Sequence, residues 1–416
     1  MTRLGNQTTK VVIIGGCGHV GLPLGVKFAL AGAETVLVDI DQDAIATVNA
    51  GTFPFVEHDG DRQLSHALKL GLRAMNDPGA CADADAIVFV TGTPVDEHLN
   101  PKISDVLRIF DSYSSYFRPD TLVVMRSTLF PGTMEHLYNR TQQQKLSVRL
   151  AFCPERVAQG IALDEIENLP QIVSAFDEPS FTAAYELFAR IAPEIIRLTP
   201  LEAEMTKLMA NSWRYLEFAI ANQFYMIAES NGVDFYRIYE AVRYKYPRAA
   251  GYKGPGFAAG PCLFKDTMQL ASFFDHKFYM GHSAMLVNEG LAGFAVDKTC
   301  RALGGSLWSK TVGVLGMTFK ADNDDIRESL SFRVKKGLEF QGATVIYHDP
   351  YLAGSVALPE LVQRADALVL GIPHQEYRSL KIAKPVIDVW GIYEPPQLEI
   401  LPGCEQAAAN LKAVNK

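Results

Sequence analysis

Short apolar runs alternate with helical patterns in the first part of the chain. The runs at 10–16, 35–40, 85–92 and 121–127 have the length and composition of buried strands, and 19–32 has helical spacing. Strands separated by helices are typical of parallel pairing with right-handed crossovers. The pattern predicts an α/β domain with a parallel sheet over residues 1–199.

The pattern changes in the middle of the chain. Residues 200–232 contain no internal glycine or proline before Gly232, and their apolar and aromatic residues recur at helical spacing. This predicts one long helix with a glycine stop, which can join two domains or form a dimer interface. Helical patterns continue to about residue 303, so 200–304 is predicted to be a central helical region.

Strand-like runs return in the last part of the chain, at 311–317, 343–349, 366–372 and 385–390. Helical patterns separate them, which predicts a second, smaller α/β domain over residues 305–416. The expected fold class is α/β, with two parallel-sheet domains joined by a long central helix.

Composition narrows the classes of function. The 416 residues suit two or three domains, and a net charge of −8 argues against a nucleic-acid partner. No apolar run reaches the about 20 residues that span a membrane, and the N-terminus lacks the apolar core of a signal peptide, which predicts a cytoplasmic protein. The six cysteines lie far apart without a CxxC pair, so neither disulfides nor a metal site is expected.

A glycine pattern follows the first predicted strand and opens the first helix. Gly16, Gly18 and Gly21 match G-x-G-x-x-G, in which the glycines permit a tight turn, approach to a pyrophosphate and close helix–strand packing. Asp39 ends the next predicted strand, where an acid suits a ribose 2′-hydroxyl and repels a 2′-phosphate. The arrangement predicts a dinucleotide site that favours NAD over NADP.

Four patches carry polar or nucleophilic side chains in suggestive positions. They are Thr128, Glu155, the helical set Glu204, Lys207 and Asn211, and Cys262 with Lys265 and Asp266. The helical set has spacings of three and four, so its members share one face. Taken singly, each patch has an ordinary alternative: a helix cap, a surface turn, exposed helix residues and a buried cysteine.

Together, these patches resemble the UDP-glucose/GDP-mannose dehydrogenase family. The matching stretches follow the family order: GCGHVGLPLG, TGTPVDE, STLFPGT, PERVAQG, EAEMTKLMAN, GPGFAAGPCLFKD, GMTFKADNDDIRES and YHDP. The resemblance implies two Rossmann-like domains and a homodimer. It also implies NAD-dependent oxidation of the C6 alcohol of a UDP-sugar to a carboxylate, an activity that belongs to polysaccharide biosynthesis.

Oxidation of an alcohol to an acid requires two hydride transfers, and the intermediate aldehyde has no hydride-donating tetrahedral carbon. A thiolate that adds to the aldehyde creates one, and the second oxidation then leaves a thioester for water to cleave. The resemblance and this chemistry assign the addition to Cys262. A nearby ammonium is expected to favour the thiolate.

The resemblance implies roles for the other patches. Lys207 and Asn211 would stabilise the developing oxyanion, since such preorganised donors contribute a few kcal/mol each at a transition state. Asp266 would position water and manage protons, Thr128 would hold the water, and Glu155 would be the general base for thioester hydrolysis.

Further residues are expected to contact the ligands. The predicted cofactor contacts are Gly16, Gly18, His19, Val20, Gly21, Asp39, Thr93, Ser127, Thr128 and Arg327. The predicted substrate contacts are Glu155, Arg156, Lys207, Asn211, Arg248, Phe257, Gly260 and Lys320, with Arg248 reaching the sugar of a neighbouring subunit. Phe257 has a core role as its alternative, and Arg248 a solvent-facing one. Small residues before Cys262 would leave room for backbone and thiol to approach the sugar.

Two departures from the family pattern leave the sugar open. Gln159 stands where many UDP-glucose-specific members carry a second glutamate, and Ala258, Ala259 and Pro261 alter the glycine run before the cysteine. The PERVAQG form is closer to members that act on UDP-N-acetylhexosamines such as UDP-N-acetylmannosamine. UDP-glucose and a UDP-N-acetylhexosamine remain equal alternatives.

Two other classes of function share parts of this pattern. One is a single-step dehydrogenase of the 6-phosphogluconate or 3-hydroxyacyl-CoA type, which needs no thiol, so Cys262 argues against it. The other is a non-catalytic regulator that binds NAD or a nucleotide sugar. The intact set of candidate side chains argues against that class.

Overall fold

The computed structural model describes residues 9–92, 102–393 and 398–401. Its first domain is built on an eight-stranded sheet with the order β3-β2-β1-β4-β5-β6-β7-β8. The strands are β1 Lys10–Ile14, β2 Glu34–Val38, β3 Arg73–Met75, β4 Ala86–Phe89, β5 Leu122–Met125, β6 Arg149–Phe152, β7 Gln171–Ala175 and β8 Ile195–Leu198. The helices of this domain are α1 Gly21–Leu30, α2 Gln42–Asn49, α3 Gly60–Lys69, α4 Ile103–Ser114, α5 Thr133–Gln143, α6 Ala162–Asn168 and α7 Glu178–Phe188.

One pair of strands in this sheet departs from the expected parallel arrangement. β1 to β6 all run parallel, whereas β7 pairs antiparallel with β6 and parallel with β8. The β6–β7 register joins only Ala151 to Ala175 and Phe152 to Ser174. The spacing of apolar residues can indicate a strand but not the direction in which it runs. The antiparallel pairing of β7 with β6 was therefore not predicted.

The central region consists of four helices, α8 Pro200–Ser230, α9 Phe235–Arg243, α10 Leu263–Phe273 and α11 Tyr279–Ala302. The long helix predicted at 200–232 is confirmed as α8. It begins at a capping box between Thr199 and Glu202 with Pro200 in its first turn, and it ends before Gly232, whose φ is 70°.

The second sheet has the order β10-β9-β11-β12, and all its pairs are parallel. Its strands are β9 Thr311–Leu315, β10 Thr344–His348, β11 Ala367–Leu370 and β12 Val386–Ile387, and its helices are α12 Ser331–Phe340 and α13 Leu358–Arg364. The four predicted strands are confirmed, and so is the fold class.

Two apolar clusters cover the two faces of the first sheet, and a third joins the central helices to the second sheet. The third cluster includes Tyr225 and Leu291 from α8 and α11 and Val312 and Val314 from β9. The second domain is therefore anchored on the central helices through a shared core. In the described parts of the chain, none of the helices has both the length and the apolar character needed to cross a bilayer.

Candidate active site

The glycine loop connects β1 to α1. Gly15 has a φ of 78°, so the tight turn lies there and not at Gly16, where we expected it. A Cβ on Gly16 would meet Cβ of Leu37 at 2.7 Å, and one on Gly21 would meet the carbonyl oxygen of Gly15 at 2.7 Å. These two glycines are required by packing.

Gly18 has open space where a side chain would start. The nearest atom to a Cβ there is the carbonyl oxygen of Gly15, at 3.8 Å. Val20, the N-cap residue of α1, makes no side-chain cap bond. The Leu22 amide donates to the Gly18 carbonyl oxygen at 3.0 Å and Pro23 has no N–H, so the Gly21 end of the helix offers a ligand few free amides of its own. Asp39 follows β2 and accepts from the Cys17 amide at 2.9 Å, which places its carboxylate beside the loop. These features fit the pyrophosphate and ribose of a dinucleotide.

Other predicted cofactor contacts border this loop. The His19 ring packs on Phe55 with centroids 4.0 Å apart, and burial, with help from the Arg327 charge, lowers the pKa of His19. Ser127 donates from Oγ to the carbonyl oxygen of Thr91 at 2.5 Å, which joins the ends of β4 and β5. Thr93 lies outside the described residues.

Cys262 is the N-cap residue of α10, and its side chain is exposed. Asp266 lies in the first turn of the same helix and is completely buried. Asn211 on α8 donates from Nδ2 to Oδ2 of Asp266 at 2.6 Å. The packing of α8 against α10 therefore brings together two of the sequence-predicted patches.

The Asp266 carboxyl group is held in an unusual environment. Its Oδ1 has no hydrogen-bond partner among the described residues, and Lys265 Nζ lies 3.8 Å from it. Burial raises the pKa of Asp266, and the charges of Lys265 and Lys207 and the Asn211 hydrogen bond oppose this only partly. A buried carboxyl group with a free oxygen and a raised pKa is suited to proton transfer.

The predicted effect of a nearby ammonium on Cys262 has the expected direction but does not set the net shift of the thiol pKa, which is raised. Desolvation by the surrounding protein atoms raises the pKa of Cys262, and the negative charge of Asp266 raises it further. Lys207, Lys265 and Arg327 all act in the opposite direction without overcoming it. The raised pKa disfavours the thiolate, so we expect a base to take the proton of the thiol before its sulfur adds to a carbonyl.

Glu204 belongs to the helical set but serves the loop that carries Thr128. Its carboxylate accepts from the amides of Gly132 and Met134, each at 2.7 Å. It therefore caps the start of α5 and ties the half-buried Thr128 loop to α8. Burial raises the pKa of Glu204 to about 7, although the two amide bonds oppose this.

Glu155 is committed to contacts within the protein. It is buried and forms an ion pair with Arg126, and its Oε1 accepts from the amides of Arg156 and Val157 at 2.7 and 2.9 Å. Arg156 itself donates to the carbonyl oxygen of Pro170. Because both carboxylate oxygens of Glu155 are occupied, this arrangement speaks against its expected role as general base.

The segment before Cys262, residues 256–260, packs against aromatic side chains of the protein, whereas we expected its small residues to leave room for the sugar. Gly256 lies against the Trp390 ring, which a Cβ would overlap, and Phe257 is buried beside the same ring. Gly260 has a φ of 98°, and a Cβ there would meet the Phe319 ring at 2.6 Å. The small residues admit aromatic rings of the second domain, and Phe257 takes the core role that was its alternative.

Three further predicted contacts come from the second domain and from an exposed loop. Lys320 reaches across to the first domain, where its Nζ donates to the carbonyl oxygen of Gln159 at 2.8 Å. Arg327 is paired with Asp325 at 2.6 Å. Arg248 is exposed and donates to the hydroxyl of Tyr246 at 2.8 Å.

Sequence reasoning missed a clamp on the segment before Cys262. Asn222 on α8 accepts from the Gly256 amide at 2.8 Å and donates to the Gly256 carbonyl oxygen at 3.0 Å, and Asn288 on α11 supports it at 2.9 Å. Asn222 follows Asn211 by about three helical turns, so both share one face of α8. The signal available in the sequence was an asparagine on the helix face that already carries Lys207 and Asn211.

Comparison with known proteins establishes the family. Residues 9–192, 201–289 and 313–395 match the NAD binding domain, the central domain and the UDP binding domain of the UDP-glucose/GDP-mannose dehydrogenase family. The chain belongs to this family. It is an oxidoreductase of the nucleotide-sugar dehydrogenase class, and its cofactor is NAD.

Three relatives show the extent of the similarity. A UDP-N-acetyl-D-mannosamine dehydrogenase of Methanocaldococcus jannaschii is 28% identical over 90% of this chain and 88% of its own. The structure of UDP-D-ManNAc dehydrogenase from Pyrococcus horikoshii matches with a TM-score of 0.87 and 26% identity, over 94% of this chain and 97% of that one. A UDP-glucose dehydrogenase structure from Pyrobaculum islandicum matches with a TM-score of 0.85 and 27% identity, over 93% and 95%.

Proposed function

We propose that this enzyme oxidises the C6 hydroxymethyl group of a UDP-N-acetylhexosamine, with UDP-N-acetylmannosamine as the first candidate, to the uronate in two steps on Cys262. The observation that carries the proposal is the placement of an exposed thiol at the start of α10 beside a buried acid–amide pair. A single-step dehydrogenase has no use for such a thiol.

The glycine loop, Asp39 and the start of α1 would hold the cofactor. When bound there, NAD⁺ would supply the hydride acceptor for each of the two oxidations. Ser127, His19 and Arg327 border the same region and are proposed to contact it.

Cys262 acts after the first oxidation. Once its proton has been removed, its sulfur adds to the C6 aldehyde and forms a carbon–sulfur bond, and the carbonyl oxygen takes up a proton to give a thiohemiacetal. Loss of the C6 hydride and the hydroxyl proton yields a thioester, and water then releases the acid and restores the thiol. Because the sugar stays covalently bound, the aldehyde is not lost between the two oxidations.

The side chains around Cys262 have complementary tasks in these steps. Lys207 and Asn211 would stabilise negative charge on the C6 oxygen as it develops. Asp266, with its free Oδ1 and raised pKa, would take and return protons, and Thr128 would hold the hydrolytic water. Since the Glu155 oxygens are occupied by Arg126 and two amides, we propose Asp266 as the principal base.

Two observations support the N-acetylhexosamine branch. The chain has the PERVAQG form with Gln159, and relatives from two archaea that share about nine-tenths of its length are UDP-N-acetylmannosamine dehydrogenases. UDP-glucose is the second candidate, because the Pyrobaculum UDP-glucose dehydrogenase matches the fold as closely. In either case Lys320, Gly260, Arg156 and Arg248 are proposed to contact the nucleotide sugar.

We also propose a homodimer formed along α8. Six large apolar side chains on this helix are 46–62% exposed, and five of them share one side of the helix, namely Met209, Trp213, Ile220, Phe224 and Ile227. A contiguous apolar surface of this size on a helix that spans both domains is typical of an interface. Sedimentation of the wild-type chain and of Trp213→Glu would test it; a wild-type monomer at micromolar concentration would contradict it.

The substrate proposal is tested with a panel of UDP- and GDP-sugars scored by NADH yield. We expect two NADH per molecule of UDP-N-acetylmannosamine and a much lower kcat/KM for UDP-glucose. One NADH per sugar, with aldehyde released, would contradict the two-step mechanism. The reverse preference would leave the mechanism intact and transfer the substrate assignment to UDP-glucose.

A further inference from the structure

We infer that His374 and Asp349 are positioning residues that fix the loop carrying Lys320, and thereby set the affinity for the nucleotide sugar. This inference rests on the proposed role of Lys320 in binding that substrate. The two residues come from different strand ends of the second sheet, and both are buried to within 1% of their surface.

Asp349 directly follows β10 and holds the start of the loop. Its Oδ2 accepts from the amides of Met317 and Thr318 at 2.6 and 3.0 Å, and its Oδ1 accepts from the Tyr351 amide at 2.9 Å. Burial would raise the pKa of Asp349, but the His374 and amide hydrogen bonds outweigh it, so the pKa lies below its usual value. The carboxylate is therefore available as a charged acceptor for the loop.

His374 follows β11 and holds the far side of the loop. Its Nδ1 accepts from the Asp322 amide at 2.9 Å. That bond assigns the lone pair to Nδ1 and the proton to Nε2, which lies 3.1 Å from Oδ2 of Asp349 and 3.2 Å from Oγ1 of Thr318. One imidazole thus connects the carboxylate to both halves of the loop.

Lys320 lies between the two fixed points. Thr318 donates from Oγ1 to the Lys320 carbonyl oxygen at 3.0 Å, while Asp349 holds residues 317 and 318 and His374 holds residue 322. The ammonium group of Lys320 extends to the carbonyl oxygen of Gln159 in the first domain. A loop anchored on both sides limits the positions open to Lys320, which lowers the entropy cost of ordering it on a substrate.

The test compares two variants of His374 with a matched buried histidine. His374→Leu removes both ring nitrogens, while His374→Asn keeps an acceptor near the Nδ1 position for the Asp322 amide. His348→Asn is the control, because His348 is also buried in this domain but bonds to Tyr377 and not to the loop. Thermal unfolding of each variant establishes that it is folded.

Calorimetry in the absence of NAD⁺ would measure the Kd of UDP-N-acetylmannosamine and, in a second arm, of UDP-glucose. We expect His374→Leu to raise the Kd of the bound sugar nucleotide about tenfold, and His374→Asn to recover most of that loss. The Kd of NAD⁺ should be unchanged in both variants. If His374→Leu does not fold, Asp349→Asn carries the test, because it weakens the acceptor of the Met317 and Thr318 amides, and we expect it to raise the Kd of the sugar nucleotide while His348→Asn does not.

Lys320→Met separates this inference from the proposed function. We expect Lys320→Met to weaken sugar-nucleotide binding, and Lys320→Met/His374→Leu to bind no more weakly than Lys320→Met alone. Wild-type binding by a folded His374→Leu, or additive losses in the double variant, would overturn the positioning role. Wild-type binding by Lys320→Met would instead overturn the substrate role proposed for Lys320.

Discussion

The two parts of the candidate site, one around Cys262 and one around Lys320, are built in different ways. The Cys262 side lies within the central helices, where Asn211, Asp266, Asn222 and Asn288 form buried side-chain hydrogen bonds of 2.6–3.0 Å. The Lys320 side is a loop of the second domain that reaches the first domain through Lys320 and through Asp324, whose Oδ2 accepts from the Val56 amide at 3.2 Å.

This difference suggests that the Cys262 side serves the chemical steps and the Lys320 side serves substrate binding. A buried network on packed helices has little freedom, which suits groups that must meet a reacting carbon within a fraction of an ångström. A loop held at both sides and extended across a cleft suits a group that closes on a ligand. Changes on the Cys262 side should lower kcat, and changes on the Lys320 side should raise KM.

The largest effect is expected from removal of the thiol. Cys262→Ala should lower two-step turnover more than about a thousandfold, because the proposed covalent intermediate forms on the Cys262 sulfur. Steady-state NADH production measures the loss, and mass spectrometry of the wild type should trap a sugar adduct on Cys262. The control is Cys300→Ala, since Cys300 is half-buried in α11. Turnover within tenfold of wild type by Cys262→Ala would contradict the mechanism.

The second effect concerns the buried acid. Asp266→Asn should lower kcat about a hundredfold with little change in KM for the sugar, because proton transfer is lost while the contact with Asn211 can be kept. The same variant should be more heat-stable than wild type at pH 7, since its raised pKa shows that ionised Asp266 costs stability. Exposed Asp275→Asn is the control. A higher KM with unchanged kcat would assign Asp266 to binding.

A smaller effect, on stability, is expected where the two sides meet. Gly256→Ala should destabilise the protein by about 1–3 kcal/mol, because its Cβ would overlap the Trp390 ring of the second domain. Gly254→Ala is the matched control, as the nearest atom to its Cβ is the Tyr239 hydroxyl at 4.0 Å. Urea unfolding compares the two variants, and equal midpoints would show that the ring can move aside.

The smallest effect is a change in pH dependence. The pKa of Glu204 is raised to about 7, so the native state holds its proton more tightly than the unfolded state and this residue costs stability as pH rises from about 4.5 to 7. Glu204→Gln should remove that decline. In Glu202 of the same helix, bonds to Thr199 lower the pKa, so its contribution to stability is constant above pH about 4.5 and Glu202→Gln should leave the slope between pH 5 and 8 unchanged. Unfolding free energies between pH 5 and 8 would show it; parallel curves for Glu204→Gln and wild type would contradict it.

Apolar periodicity in the sequence predicts β1, β2, β4 and β5 of the first sheet, the four strands of the second sheet and the long helix. It does not predict β3, β7 and β8, or the direction of β7. β3 is three residues long, and only two of the five residues of β7 are paired with β6. The three residues of β3 are too few positions for a pattern, and β8 has only half-buried and exposed positions, while strand direction depends on tertiary packing.

The candidate site shows a similar division. Motifs place Cys262, Asp266, Asn211 and Lys207 in one region because each lies on a helix or at its start. They do not show that Glu155 is occupied by Arg126, since that pair joins strand ends separated by 29 positions. Whether a carboxylate is free or engaged depends on partners brought by the fold.

The reversal of β7 determines where the long helix can go. β7 begins beyond the edge at which β1 to β6 end and runs back only as far as Ala151, and β8 runs beside it in the same direction. Leu198, the last residue of β8, is therefore level with Phe152, the last residue of β6, so α8 starts at the edge of the sheet that also carries the glycine loop. One continuous helix thus connects that edge, which it meets at Glu204, to the apolar core shared with the second domain.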